Sequence, residues 1–235
     1  MGSCFEVTER SQFEFSIFKS FSAIRGVVVS KQPTDIVHLP PLIQFDPKLY
    51  VIHIIRDPRA VVASKHKAIK GYFSNYRIWK ECETASRRLS GHPRFLQIHY
   101  EDLATDPDRI QQRISQAFPF LKCRHRFSEF ADYAKPGKTA IDALNGLRSV
   151  DAASICKWHQ HLPRVKAQLL RFPVLQEDLE YYGYESDSRW QLMLDGVEPQ
   201  QFPCRYSDGS EPFKKWEKRL RIHFKTRRYL KRLGA

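Results

Sequence analysis

No run of apolar residues in this 235-residue sequence approaches the roughly 20 that a membrane-spanning helix needs. Met1 to Arg10 has no charged start followed by an apolar block, so a signal peptide is not expected there. Cysteine is sparse: Cys4, Cys82, Cys123, Cys156 and Cys204 are odd in number, far apart and form no C-x-x-C pair. That argues against a disulfide framework or a zinc ribbon and fits a reducing compartment. The cytoplasm is therefore the expected location, with the Golgi lumen as the alternative if an N-terminal anchor has been lost. Cys156, His159 and His161 lie close together, but they sit in a helical pattern around Trp158 with no fourth ligand, so they read as helix residues and no metal is expected. Glycine is scarce before Arg56, where only Gly2 and Gly26 occur, and there is no G-x-x-x-x-G-K-[ST]. That speaks strongly against a nucleotide kinase or other P-loop phosphotransferase.

What is present begins with charge. The formal net charge is +13, and it is unevenly placed. Lys214 to Arg232 holds ten Lys/Arg against Glu217, a local +9, which leaves +4 for the rest of the chain. The body is mildly basic and the tail strongly so, which weakens a reading of the whole chain as a nucleic-acid binder. An apolar fraction of 42% is enough for a real core.

Val27-Val28-Val29-Ser30 reads as a buried strand turning at Lys31-Gln32-Pro33. Leu49 to Ile55 is nearly continuously apolar, the pattern of a parallel strand covered on both faces. Asp57-Pro58 then supplies an N-cap and a first helical residue, predicting a helix to about Lys70. The spacing of Ile78, Cys82, Ala85 and Leu89 predicts a helix over 75–89 with that stripe inward. Residues 94–99 read as a strand, and Asp106-Pro107 opens another helix with Ile110, Ile114 and Phe118 on one face. Lys135 to Lys138 is a loop. Residues 154–170 form a helix bearing Trp158, Leu162, Val165 and Leu169 on one side. Residues 183–212 are irregular, and Phe213, Trp216, Leu220 and Phe224 mark an amphipathic stripe on the basic tail. The alternation of strand and helix predicts an α/β fold with a parallel sheet. The expected organisation is an α/β domain over 1–186 and an extension over 187–235.

Arg56 ends the strongest strand, where open α/β sheets bind ligands, and the next helix N-terminus favours an anion. Ser64, six residues past Pro58, lies roughly 9 Å along a regular helix, so a phosphate reaching both residues must lie beside its first two turns. On the residues alone, a strand-end arginine and a solvent-facing serine are the commoner account of this pair.

The decapeptide Arg56 to Lys65 resembles the 3′-phosphate-binding motif of sulfotransferases that use PAPS, 3′-phosphoadenosine-5′-phosphosulfate. The resemblance continues in the strand ending at Lys31 and Pro33, in Tyr100-Glu101-Asp102-Leu103 with Asp106-Pro107, in Leu147-Arg148-Ser149 with Lys157-Trp158, and in Gly183-Tyr184-Glu185. It covers roughly residues 27–186 in the family's order, in the style of its carbohydrate-type and bacterial members. It implies a P-loop-like parallel sheet flanked by helices, with PAPS as cosubstrate and a hydroxyl or amine acceptor, carbohydrates included. By position, Arg56, Ser64 and Arg148 would hold the 3′-phosphate, and Lys31 would stand near the transferring sulfuryl group as the catalytic residue. Where some members place a catalytic His, this sequence has Gln32, with His38 further on. Glu101 and Asp102 are structural in the resemblance rather than the base. The family's Gly-rich 5′-phosphosulfate loop has no counterpart before Val27, so the domain is expected to be N-terminally incomplete, through truncation or, less readily, divergence, with weak or absent transfer. The competing reading is a non-catalytic nucleotide-binding protein that docks on an anionic membrane or polyanion through residues 213–235.

Overall fold

In the computed structural model, which describes residues 35–64, 73–121, 123–133 and 152–204 together with residues 224, 227 and 231, the chain runs through α1 (Leu39–Phe45), β1 (Val51–Ile55), α2 (Pro58–Val62), α3 (Tyr76–Arg87), β2 (Phe95–His99), α4 (Tyr100–Thr105), α5 (Pro107–Ala117), α6 (Phe130–Tyr133), α7 (Leu162–Arg171) and α8 (Leu175–Tyr181). β1 and β2 pair in parallel, from Val51 beside Phe95 to Ile55 beside His99. Parallel neighbours need a crossover, and α2 and α3 lie within it. The result is an α/β architecture with a small parallel sheet flanked by helices. The strand read at Val27–Ser30, the loop at Lys135 to Lys138 and most of the basic tail lie outside the described residues. Among the described residues no helix is long and apolar enough to cross a membrane.

Alternation along a strand sends successive side chains to opposite faces, and here the two faces differ. Val51 packs with Ala85 and Leu89 near α3, and with Ile36 and Ile43 near α1. Ile98 points the other way, onto Ile110 and Ile114 of α5. Ile52 and Ile54 share that second face and are 39% and 49% exposed. The expected cover on both faces of β1 therefore holds on one face only.

Both Asp-Pro helix starts form as expected. Asp57 Oδ1 accepts from the Arg59 amide at 2.7 Å, and Asp106 Oδ1 accepts from the Arg109 amide at 3.1 Å. The first helix is shorter than expected. α2 ends at Val62 instead of running to about Lys70, and residues 65–72 lie outside the described residues. The physical reason is competition for carbonyls. The Val62 carbonyl, which residue 66 of a continuing helix would use, accepts from Arg164 Nε at 3.2 Å. The Ser64 carbonyl accepts from the Ser74 amide at 3.1 Å. The helix expected over 154–170 is likewise divided into 3-10 segments at Ala152–Ser154 and Lys157–His161, followed by α7. Pro163 explains the break, because it has no amide to donate back one turn and suits the start of a helix.

The expected stripe turns inward at Cys82, Ala85 and Leu89, which pack in the Val51 cluster, and α3 buries a second, partly polar stripe beside it. Tyr76, Trp79, Glu83 and Ser86 are buried, whereas Ile78 is only half-buried. The reason lies in α8. Asp178 is buried and receives Lys80 Nζ at 2.6 Å, together with the Tyr76 hydroxyl. Glu83 is buried and receives Arg87 Nε and the Tyr182 hydroxyl, the latter at 2.9 Å. Two buried carboxylates and their cations thus clasp α3 to α8. Such a cluster is weak evidence of net stabilisation but costly to break from one side. The main core sits beside this clasp and holds Ile55, Val62, Trp79, Trp158, Val165 and Leu179. It continues past residue 186, since Trp190 and Leu194 are buried within it.

Candidate functional site

The site is built at the carboxyl ends of β1 and β2. The parallel register pairs Ile55 with His99, so the next residues, Arg56 and Tyr100, are neighbours. The Arg56 guanidinium lies over the Tyr100 ring, 4.4 Å from its centroid. Its Nη2 donates to the Ser154 carbonyl at 2.8 Å, and Tyr100 and Ser154 share a hydroxyl hydrogen bond of 2.5 Å. The Arg56 carbonyl accepts from Trp79 Nε1 at 2.8 Å. Backbone and side chain of Arg56 are therefore both fixed. Its Nε is buried and makes no hydrogen bond to the described residues.

Arg59, three residues on, is spent on the fold. It is 3% exposed and forks onto Asp57, with Nη2 to Oδ2 at 2.7 Å and Nε to both oxygens at 3.1 Å. Its Nη1 donates to Glu185 Oε1 at 2.5 Å. Its guanidinium carbon lies 4.0 Å from the Trp158 ring and 4.7 Å from the Trp190 ring. A guanidinium so enclosed has no face left for a ligand.

Glu101 is also committed. Its Oε1 accepts from the Asp57 amide at 3.0 Å and its Oε2 from the Tyr184 hydroxyl at 3.2 Å. Burial first, and then the charge of Glu101, raise the Tyr184 phenol well above its ordinary range. Glu101 joins the end of β2 to the start of α2. Asp102 is partly exposed and sits 3.5 Å from Arg109 Nη2.

The start of α2 contributes little to an anion. The helix has five residues, the Asp57 amide is taken by Glu101, and the Arg59 amide is taken by Asp57. An anion here is met by side chains. Ser64 stands just beyond the other end of α2, exposed, with its hydroxyl donating to the Ala60 carbonyl at 2.9 Å. At 1.5 Å per residue the five residues of α2 account for about 7.5 Å, about one and a half turns, of the path between Arg56 and Ser64. His38 ends the 3-10 turn Asp35–His38 that precedes α1. Lys31, Gln32 and Arg148 lie outside the described residues. Cys156 is exposed, and the His159 ring packs against Trp158 at 4.0 Å. Among the described residues no group of His, Cys, Asp and Glu is placed to hold a metal ion.

Sequence reasoning missed Trp79, Ser154 and the platform role of Tyr100. The signal for Tyr100 was available, because two parallel strands aligned by their ends put Arg56 and Tyr100 side by side. No local pattern marks Ser154, which is 98 residues from Arg56 in sequence.

Residues 3–119 match the model of a family described as the sulfotransferase family. Two curated proteins, the omega-hydroxy-beta-dihydromenaquinone-9 sulfotransferases Stf3 of Mycobacterium bovis and of Mycobacterium tuberculosis, are each 29% identical to the chain over 133 residues. Each alignment covers 47% of this chain and 33% of the mycobacterial protein. The chain thus spans about a third of the length of the curated relatives it matches.

Proposed function

We propose, for a chain whose residues 3–119 match the sulfotransferase family, that it moves a sulfuryl group from PAPS to an acceptor hydroxyl or amine. The acceptor oxygen or nitrogen attacks sulfur in line. Its bond to sulfur forms as the bond from sulfur to the bridging phosphate oxygen breaks, and adenosine 3′,5′-bisphosphate leaves with that electron pair. The acceptor proton passes to a base. Positioning, and cations facing the bridging and equatorial oxygens, lower the barrier. In this reading Arg56 and Ser64 hold the 3′-phosphate, Arg148 reaches the same phosphate, and Lys31 stands beside the sulfuryl group. A carbohydrate hydroxyl and a lipid-borne hydroxyl, the latter in the acceptor for which the mycobacterial relatives are named, are the two acceptor classes to assay first.

One observation carries the reading. Arg56 is held at the carboxyl end of a parallel strand, stacked on Tyr100, with a buried Nε that makes no hydrogen bond to the described residues. A buried unpaired donor calls for an explanation, and a phosphate accepting from the guanidinium edge provides one.

Titration of adenosine 3′,5′-bisphosphate by calorimetry tests this against wild type and Arg56→Ala. Loss of a charge-assisted contact predicts binding about 10- to 100-fold weaker for the variant. Equal affinity for both proteins would sink the assignment.

A further inference from the structure

Arg164 is 2% exposed on α7, and its guanidinium reaches three backbone carbonyls in three separate parts of the chain. Nε donates to Val62 at 3.2 Å, Nη2 to Ser74 at 2.6 Å and Nη1 to Phe202 at 3.3 Å. Val62 is the last residue of α2, and its carbonyl is one of those that a helix end leaves without an internal partner. Ser74 is the second described residue after residues 65–72. One planar fork therefore ties together the two chain ends that flank that segment.

Ser64 stands between these two anchors. Its carbonyl accepts from the Ser74 amide at 3.1 Å, while Ser74 gives its own carbonyl to Arg164. Phe73 secures the far side, with its amide donating to the Pro203 carbonyl at 3.0 Å and its ring 5.3 Å from the Arg164 guanidinium. One turn further along α7, the buried Gln168 accepts from the Tyr76 amide at 3.0 Å and so fixes the start of α3. Loosening this junction would move Ser64 while leaving Arg56 on its own Tyr100 and Ser154 contacts.

We propose that Arg164 is a positioning residue for Ser64, holding its hydroxyl where a phosphate beside α2 can be met. This rests on the reading of Ser64 as a 3′-phosphate ligand. Arginine suits the task because its donors diverge in a fixed plane. Lysine keeps the charge but is a single point on a flexible stem, and it cannot span three carbonyls at once.

The test compares adenosine 3′,5′-bisphosphate with adenosine 5′-monophosphate, which lacks the 3′-phosphate, on wild type, Ser64→Ala, Arg164→Lys and the double variant. The readout is the ratio of the two affinities. Ser64→Ala is expected to lower that ratio by about tenfold, the worth of one hydrogen bond to a charged group. Arg164→Lys is expected to lower it by several-fold, and the double variant no further than Ser64→Ala alone, because coupled residues are not additive. If Arg164→Lys weakens both nucleotides equally, or leaves the ratio unchanged while Ser64→Ala lowers it, the positioning role is wrong and the phosphate reading stands. If Ser64→Ala leaves the ratio unchanged, the phosphate reading of Ser64 fails and takes this proposal with it. Should Arg164→Lys not fold, hydrogen exchange of wild type decides instead. Peptides covering Val62–Ser64 and Ser74–Tyr76 are expected to be more protected with adenosine 3′,5′-bisphosphate than with the monophosphate. Equal protection with both nucleotides overturns the proposal.

Discussion

Replacing Arg59 by alanine removes the cation from Asp57, which is 5% exposed in wild type, and leaves Glu185 without the Arg59 donor. Breaking a buried ion pair from one side costs about 3–5 kcal/mol, most of it from the charge left behind. Contacts with Trp158 and Trp190 are lost as well, each cation–π contact being worth about 0.5–2 kcal/mol according to its desolvation. Against a usual total stability of about 5–15 kcal/mol, even the lower end of these losses, about 4 kcal/mol, is severe. With a urea slope of about 2–3 kcal/mol/M, it lowers the unfolding midpoint by about 1.3–2 M. Arg56→Ala is the internal comparison. Arg56 gives up one carbonyl hydrogen bond and one ring contact, and its unpaired Nε is removed with it. Its cost is expected to stay within about 1 kcal/mol. Urea unfolding followed by tryptophan fluorescence distinguishes the two, since Trp158 and Trp190 flank Arg59. Arg59→Lys, which keeps the charge but loses the fork, should fall between wild type and Arg59→Ala. A midpoint for Arg59→Ala within about 0.3 M of wild type, or an equal fall for Arg56→Ala, would refute the division of labour between these two arginines.

Burial raises the Asp35 carboxyl to about pH 6, so the folded protein holds this proton more tightly than the unfolded chain does. The stability tied to it is present below the ordinary carboxylate range and is lost as pH rises through about 6. Asp35→Asn should match wild type in melting temperature near pH 3.5 and exceed it at pH 7, and a difference that does not grow with pH refutes this. Tyr76→Phe deprives Asp178 of the buried hydroxyl that reaches it from α3, an expected cost of about 1–3 kcal/mol in urea unfolding. A change below about 0.5 kcal/mol would show that the Lys80 and Arg87 contacts satisfy Asp178 without the phenol.

Features set by nearest neighbours in sequence were legible. The Asp-Pro starts of α2 and α5 form because the aspartate side chain and the next helical amide are two or three residues apart, and no tertiary contact is needed to bring them together. The strand at Ile55 and the Ile110, Ile114 face of α5 follow from apolar pattern alone. Misreadings arose wherever a distant group competed for a local one. α2 stops early because Arg164, 102 residues away, takes the carbonyl that would extend it. α3 buries Glu83 because Tyr182, just past α8, donates its hydroxyl to it, and a rule that sends charges to solvent cannot anticipate a partner 99 residues away. Arg56 was singled out from sequence as a candidate, but its platform, its carbonyl anchor and its backbone clamp were not. They come from the start of α4, the Ala152–Ser154 turn and α3, and only the folded chain brings them to one point.

The family match ends at residue 119, yet much of what fixes the motif lies beyond it. Ser154 holds the Arg56 side chain, Trp158, Glu185 and Trp190 enclose Arg59, and Arg164 holds the end of α2. Within Arg56 to Arg59, then, one arginine is left with a donor to give and the other has none. The sequence of the motif does not say which is which, since both are arginines beside the same Asp-Pro. The choice is made by the second half of the chain, which wraps two indoles and a carboxylate around Arg59 and leaves Arg56 a single carbonyl. The arrangement at this end of β1, where the proposed function places a phosphate, therefore depends on packing that residues 3–119 do not contain. Variants in that second half, far from the motif in sequence, are the ones that separate holding a phosphate from holding the fold.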